Sequence, residues 1–166
     1  MPATTHSATV TLPTDEQIAI RREFDAPKHL VYKAWTTPEL VKRWWSGKRG
    51  KVTIAEIDLR VGGTWRYVMT SSSGHEVAFH GEFREIVPNE RIVSTEVYEM
   101  PGAPALAPED EPVNVITFEE HDGRTTMTLL TQCSSKGLCD AIINSGMETG
   151  MQESLDALEE VARSLA

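Results

Sequence analysis

The chain has 166 residues, 40% of them hydrophobic, and a formal net charge of −9. That length suits a single domain with a sizeable core, and no window approaches the roughly 18 apolar residues that a membrane-spanning helix needs. An acidic chain without a broad basic face excludes nucleic acid as the natural partner.

Residues 1–15 are polar and threonine-rich. They lack the basic start and apolar run of a secretory signal and are expected to form a flexible arm ahead of one domain over 16–166. The location this implies is cytoplasmic. Cys133 and Cys139 are too few for a disulfide framework and read as two semi-buried thiols. Ile18, Ile20, Arg22 and Phe24 alternate as a strand does. Asp25 ahead of Ala26-Pro27 marks a helix entry, and Leu30, Val31, Ala34 and Trp35 line one stripe of a short helix. Thr36 and Glu39 have capping-box spacing about Pro38, so a second short helix starts there. Its Leu40, Val41, Trp44 and Trp45 repeat the stripe. Adjacent tryptophans cannot share a direction, which assigns one to the core and the other to the rim of a cavity.

From residue 51 the period becomes two. Strands are expected at about 51–59, 64–71, 75–87, 91–100, 113–121 and 124–133. Gly62-Gly63, Ser73-Gly74, Pro88-Asn89 and Asp122-Gly123 separate most of them, and such short turns imply an antiparallel meander. Met100 to Pro112 is proline-rich and too long for a hairpin turn, so it reads as an irregular loop over an opening. Ile143, Met147, Met151, Leu155, Leu158, Ala162 and Leu165 mark one face of a long C-terminal helix. Beside them Gly146, Gly150, Ser154 and Ala157 form a strip of small residues, where a helix backbone can approach a neighbour closely. The fold class is therefore α+β: a curved antiparallel sheet of about seven strands wrapped around a long C-terminal helix, with two short helices after the first strand. Ordinary side chains cannot fill such an interior completely, and an apolar tunnel between sheet and helix is expected.

The residues of this framework resemble a known family. Phe24-Asp-Ala-Pro27, Val31 to Leu40, Arg43-Trp-Trp45, Asp58 to Arg66, Gly81 to Val93, Thr117 to Glu120 and Ser145 to Gly150 together resemble, in serial order over about residues 17–165, the activator of heat-shock-protein-90 ATPase homologue family. That family belongs to the START-like, helix-grip superfamily of polyketide cyclases and lipid-transfer proteins. The resemblance implies a helix-grip fold with an internal hydrophobic cavity. It implies no fixed reaction, because a fold does not carry one.

Strand parity selects the cavity wall. Trp65, Tyr67 and Met69 alternate with Arg66, Val68 and Thr70, so the aromatic side faces inward, and the same argument selects Phe79, Phe118, Met127 and Leu129. Trp45, Met147 and Met151 complete the expected ligand-binding set. Lys48 and Arg49, within a cationic cluster that also holds Lys42, Arg43 and Lys51, are expected to meet an anionic group. Strand 91–100 has mixed faces and assigns neither inward. His75-Glu76 and His80 sit on a strand without helical zinc spacing, and Glu76, His80 and Glu82 share a water-facing side. No nucleophile elbow, P-loop or dinucleotide fingerprint occurs. The leading expectation is a soluble binding protein for a small apolar or amphipathic molecule, with no catalytic residue, no metal and no cofactor. A cavity enzyme of cyclase or hydratase type on a polyketide-like substrate is the alternative, resting on Tyr67, His80 or Glu82. A chaperone-associated accessory protein is the third reading. Base rates for small domains place a homodimer among the expected states.

Overall fold

Hairpin connections marked by glycine, asparagine or aspartate close through left-handed backbone in the computed structural model. Gly62, Gly74, Asn89, Asp122 and Gly123 all have positive φ, the conformation that tight antiparallel turns demand. The structure describes residues 7–99, 107–144 and 146–166. In chain order the elements are β1 (Thr9–Thr11), β2 (Gln17–Phe24), α1 (Lys28–Thr36), α2 (Pro38–Trp44), β3 (Gly50–Ile57), β4 (Thr64–Ser71), β5 (Glu76–Val87), β6 (Arg91–Thr95), β7 (Val97–Glu99), β8 (Val113–His121), β9 (Arg124–Gln132), α3 (Lys136–Asn144) and α4 (Met147–Ser164).

The strands form one nine-stranded sheet in the order β1-β2-β9-β8-β6-β5-β4-β3, with β7 paired to β5 off that path, and every pairing is antiparallel. β5 changes partners along its length. Its first half lies between β4 and β7, its second half pairs with β6, and the register shifts between Phe83 and Glu85. A bulge of this kind raises local twist and bends the sheet. The concave face meets α1, α2 and α4 in one core that includes Ile18, Ile20, Phe24, Val31, Val41, Ile116, Phe118, Met127, Leu155 and Leu158. α4 lies against both α1 and α2. Arg22 falls on the buried row of β2 because α4 supplies it with two carboxylates, Asp156 and Glu159, and a buried cation needs such partners. Among the described residues no helix is long and apolar enough to cross a membrane.

Several expectations are corrected. The polar arm is not free along its length: Thr9–Thr11 adds a strand to β2, Ala8 is buried, and its backbone exchanges two hydrogen bonds with the Gln152 side chain. Residues 1–6 of that arm lie outside the described residues. The long C-terminal helix is present as α4, but Ile143 of its expected face belongs to the separate helix α3, because Gly146 adopts φ 84° at the start of α4 and left-handed backbone ends a helix. Strand 91–100 is likewise two, β6 and β7, divided at Glu96. Of the expected loop over Met100–Pro112, residues 100–106 lie outside the described residues, and Pro108–Asp110 is a single 3-10 turn. The expected caps are also replaced. The backbone N–H of Lys28 donates to Glu120 at 2.8 Å, Asp25 accepts from Arg124 at 2.8 Å, and the Thr36 hydroxyl donates back to the Tyr32 carbonyl. Finally, Cys133 and Cys139 are not thiols but a disulfide, their Cα atoms 5.8 Å apart, joining the end of β9 to α3.

Candidate functional site

Alternation in β4 turns Trp65 and Tyr67 to the concave face and Arg66 to the other. Pairing then extends the inner face across four strands: Ala55 of β3 opposes Tyr67, Tyr67 opposes Phe79 of β5, and Phe79 opposes Tyr98 of β7. Trp45, the first residue after α2, lays its indole on this row, 5.4 Å from the Tyr67 ring and 5.3 Å from that of Phe79. The Trp65 and Tyr67 rings are 4.8 Å apart, and those of Phe79 and Tyr98 are 5.0 Å apart. Offset and edge-on pairs at these distances each contribute about 0.5–1.5 kcal/mol beyond their buried area. Exposure is graded along the row, from 5% at Trp65 and 8% at Tyr67 to 45% at Tyr98, so the aromatic wall runs from the interior to solvent. The neighbouring tryptophan takes the other role. Trp44 is buried, donates its indole N–H to the Ala34 carbonyl at 2.9 Å, and packs on Trp35 at 5.0 Å.

Trp65 needs Gly81, the residue opposite it in β5. A Cβ there would stand 2.5 Å from Trp65 Nε1 and 1.8 Å from the Thr95 carbonyl oxygen. The indole N–H thus lies beside the peptide that leads into Glu96. Among the described residues Trp65 Nε1 is the one buried side-chain polar atom without a hydrogen-bond partner.

A polar row crosses the same face. Ser94, Asn114 and Thr131 are paired neighbours on β6, β8 and β9, and all three are buried. The Thr131 hydroxyl donates to Asn114 Oδ1 at 2.7 Å, which leaves the Asn114 amide hydrogens for Glu96. Glu96 interrupts the strand between β6 and β7, and its backbone N–H donates to the Pro112 carbonyl at 3.0 Å. The residue keeps some exposed surface, yet desolvation pushes its carboxyl above the ordinary range, with the hydrogen bond to Asn114 pulling the other way. Burial, and next the Glu96 charge, raise the Tyr67 hydroxyl well above its usual value.

The structure therefore brings Trp45, Trp65, Tyr67 and Phe79 together, with Met69 on the same face of β4 and partly buried. Met147 and Met151 are partly buried against the core. Phe118, Met127 and Leu129 belong elsewhere on the concave face. Phe118 packs under α1 against Tyr32 at 5.9 Å and Trp35 at 6.4 Å, Met127 opposes Phe118 and Arg22, and Leu129 opposes Ile20 and Ile116. Arg49 donates to the Gly146 carbonyl at 3.0 Å, and its guanidinium covers Gly150, where a Cβ would stand 2.8 Å from Cζ. The Lys48 backbone N–H faces Glu153, and the Ser154 hydroxyl donates to the Trp45 carbonyl at 2.7 Å. The small-residue strip of α4 thus seats the segment after α2 and holds Trp45 in place. His80 and Glu82 lie on the opposite face from Phe79. His80 meets Glu99, which also takes two hydrogen bonds from Arg66, and Glu82 is exposed. Among the described residues no three His, Cys, Asp or Glu side chains converge as metal ligands would. Glu96, Asn114 and Thr131 escaped sequence reasoning. The mixed faces of 91–100 were the trace Glu96 left, since the break between β6 and β7 at that residue interrupts the parity that would have placed it.

Comparison with known proteins adds three findings. A family model described as Activator of Hsp90 ATPase homolog 1-like protein matches residues 25–163. No curated protein matches the chain. Among solved structures, a protein from Rhodobacter sphaeroides is similar at TM-score 0.84 and 21% identity, covering 95% of this chain and 99% of that one. Protein Ms6760 from Mycobacterium smegmatis is similar at TM-score 0.83 and 22% identity over 96% and 99%. Protein CV1439 from Chromobacterium violaceum reaches TM-score 0.76 and 26% identity over 90% and 98%.

Proposed function

The chain belongs to the Activator of Hsp90 ATPase homolog 1-like family, and on that premise we propose that it binds a small apolar or amphipathic molecule along the aromatic wall between sheet and helices. The observation that carries this reading is the graded row from buried Trp65 through Tyr67, Trp45 and Phe79 to exposed Tyr98. A continuous apolar surface reaching from core to solvent, with a few polar groups beside it, is the usual composition of a small-molecule site. Tethering of Trp45 by Ser154 fixes one wall in advance, which lowers the entropic cost of binding.

The test is titration with N-phenyl-1-naphthylamine, a neutral fluorophore that brightens in apolar surroundings. Saturable one-to-one binding is expected. Trp45→Ala and Phe79→Leu should each weaken it by about tenfold, in line with losing most of one buried aromatic contact. Unchanged affinity in both variants, or no saturable binding, overturns the reading.

A further inference from the structure

We propose that the Cys133–Cys139 bridge is a redox-operated clasp on α3. Intact, it pins that helix over one end of the concave face; reduced by a dithiol, it lets α3 detach while the sheet and α4 stay folded. This goes beyond the binding function proposed above and does not depend on it.

The two halves of the clasp differ in how firmly they are held. Cys133 belongs to a fixed wall. Its backbone N–H donates to the Glu16 carbonyl at 2.8 Å, which carries the β2–β9 ladder one pair beyond Gln17 and Gln132. Alternation along β9 sets Cys133 on the concave side with Met127, Leu129 and Thr131, so the helix bonded to it stands over that face. Cys139 belongs to a marginal element. α3 has nine residues, and Cys139 is its one buried side chain, while Leu138, Ile142 and Ile143 are only partly buried against the core. Isolated helices below about 12–15 residues are marginal in water, and Gly137 lowers the propensity of this one further. Lys136 pairs with Asp140, and the Leu138 N–H donates to the Ser135 hydroxyl, both within the same segment. The bridge therefore joins α3 to the sheet at the single point where the helix is buried.

α4 has anchors of its own. Gly146 separates the two helices with φ 84°, and its carbonyl accepts from Arg49 at 3.0 Å. Beyond it Leu155, Leu158, Val161 and Ala162 are buried, Ser154 holds the Trp45 carbonyl, and Asp156 and Glu159 hold Arg22. Movement of α3 can stop at Gly146 and leave α4 in place.

Reduction is a thiol–disulfide exchange. A thiolate of the dithiol attacks one bridge sulfur, the Cys133–Cys139 bond breaks, and a mixed disulfide forms; the second thiol of the reductant then displaces the cysteine. The bridge gains two electrons and two protons as two cysteine thiols, and the reductant leaves as its own disulfide. Cys133 and Cys139 are 1% and 3% exposed, so attack waits on local lifting of α3, which its weak hold supplies. The cysteines are six residues apart, and so short a loop closes again at small entropic cost once an oxidant is present.

Hydrogen exchange read by mass spectrometry makes the test, on the full chain before and after dithiothreitol, with peptides covering residues 136–144 and 147–164. Oxidised protein should protect α3. Reduction should speed exchange in α3 at least tenfold, toward the rate of an unstructured peptide, while α4 keeps most of its protection. Oxidised glutathione should restore the first pattern. The sequence holds only these two cysteines, so the reductant has no second target. The double variant Cys133→Ser, Cys139→Ser should show the reduced pattern with or without dithiothreitol. Exchange in α3 that is the same in both redox states, α4 losing protection as fully as α3, or failure of the oxidant to restore protection would each overturn the inference.

Discussion

At Glu96, burial raises the carboxyl above its ordinary value of 4.5 against the counter-pull of Asn114, and this shift ties stability to pH with a definite sign. The unfolded chain ionises first, near 4.5, while the folded chain holds its proton longer. Glu96 thus favours the fold at low pH, and that contribution is lost as pH rises through its folded pKa. Glu96→Gln should leave the melting temperature unchanged near pH 4 and raise it increasingly above that, with a plateau once the wild-type group is ionised. Tyr67, the other titrating group beside it, changes charge far higher and does not blur this window. Glu99, three positions on, is the opposite case. The hydrogen bond from Arg66 first, and that from His80 after it, lower its pKa, so its contribution is present at neutral pH and lost on acidification. Glu99→Gln should lower the melting temperature at pH 7, by an amount that shrinks as pH falls through the Glu99 folded pKa. A melting series on both variants from pH 3 to 8 checks the two together, and slopes of the same sign would refute the assignment of Glu96 as the desolvated acid.

Glycines show what periodicity can and cannot say about an element. The strip on α4 was legible as a surface of close approach, because glycine and serine at helical spacing have few other uses, but its partner was not. That partner is the backbone and Arg49 of the segment after α2, contacts separated by about a hundred residues and invisible to any local pattern. Gly81, in mid-strand, drew no notice in the sequence, yet it is the position where a side chain is least tolerable. These two sites make opposite predictions for the same substitution. Gly150→Ala places a methyl 2.8 Å from Arg49 Cζ, the far end of a flexible side chain that can swing away. Helix propensity then gains about 1 kcal/mol, and the variant should melt slightly higher than wild type. Gly81→Ala places a methyl 1.8 Å from the Thr95 carbonyl oxygen, a backbone atom that can move only by parting β5 from β6. That variant should lose about 3 kcal/mol or fail to fold. Thermal melts of the pair decide the matter, and equal tolerance at both positions would contradict the packing of Trp65 over Gly81.

For the whole molecule, the meander was readable because its turns are short: β3, β4, β5 and β6 lie side by side in chain order, as tight turns require. The closure of the other flank was not readable. β2 pairs with β9 across more than a hundred residues, and nothing local in Gln17–Phe24 names that partner. The same blindness to distant geometry hid the Cys133–Cys139 bridge, since two cysteines six apart in an unexceptional sequence predict nothing about their side chains. Its placement gives it a global role. It staples the last strand of the sheet to the helical segment that leads into α4, and so ties the core-bearing helix to the sheet it fills. A reducing compartment would keep such a bridge open, so its contribution measures how much stability depends on the compartment. A short closed loop of this size contributes roughly 2 kcal/mol in the chain-entropy treatment, equivalent to about 4–8 °C for a chain of this length. Cys139→Ser should therefore lower the melting temperature by that amount under oxidising conditions. Dithiothreitol should lower wild type to the same value and leave the variant where it is. If reduction and substitution leave the melt unmoved, β9 and the C-terminal helices hold together through packing alone, and the bridge carries no part of the fold's stability.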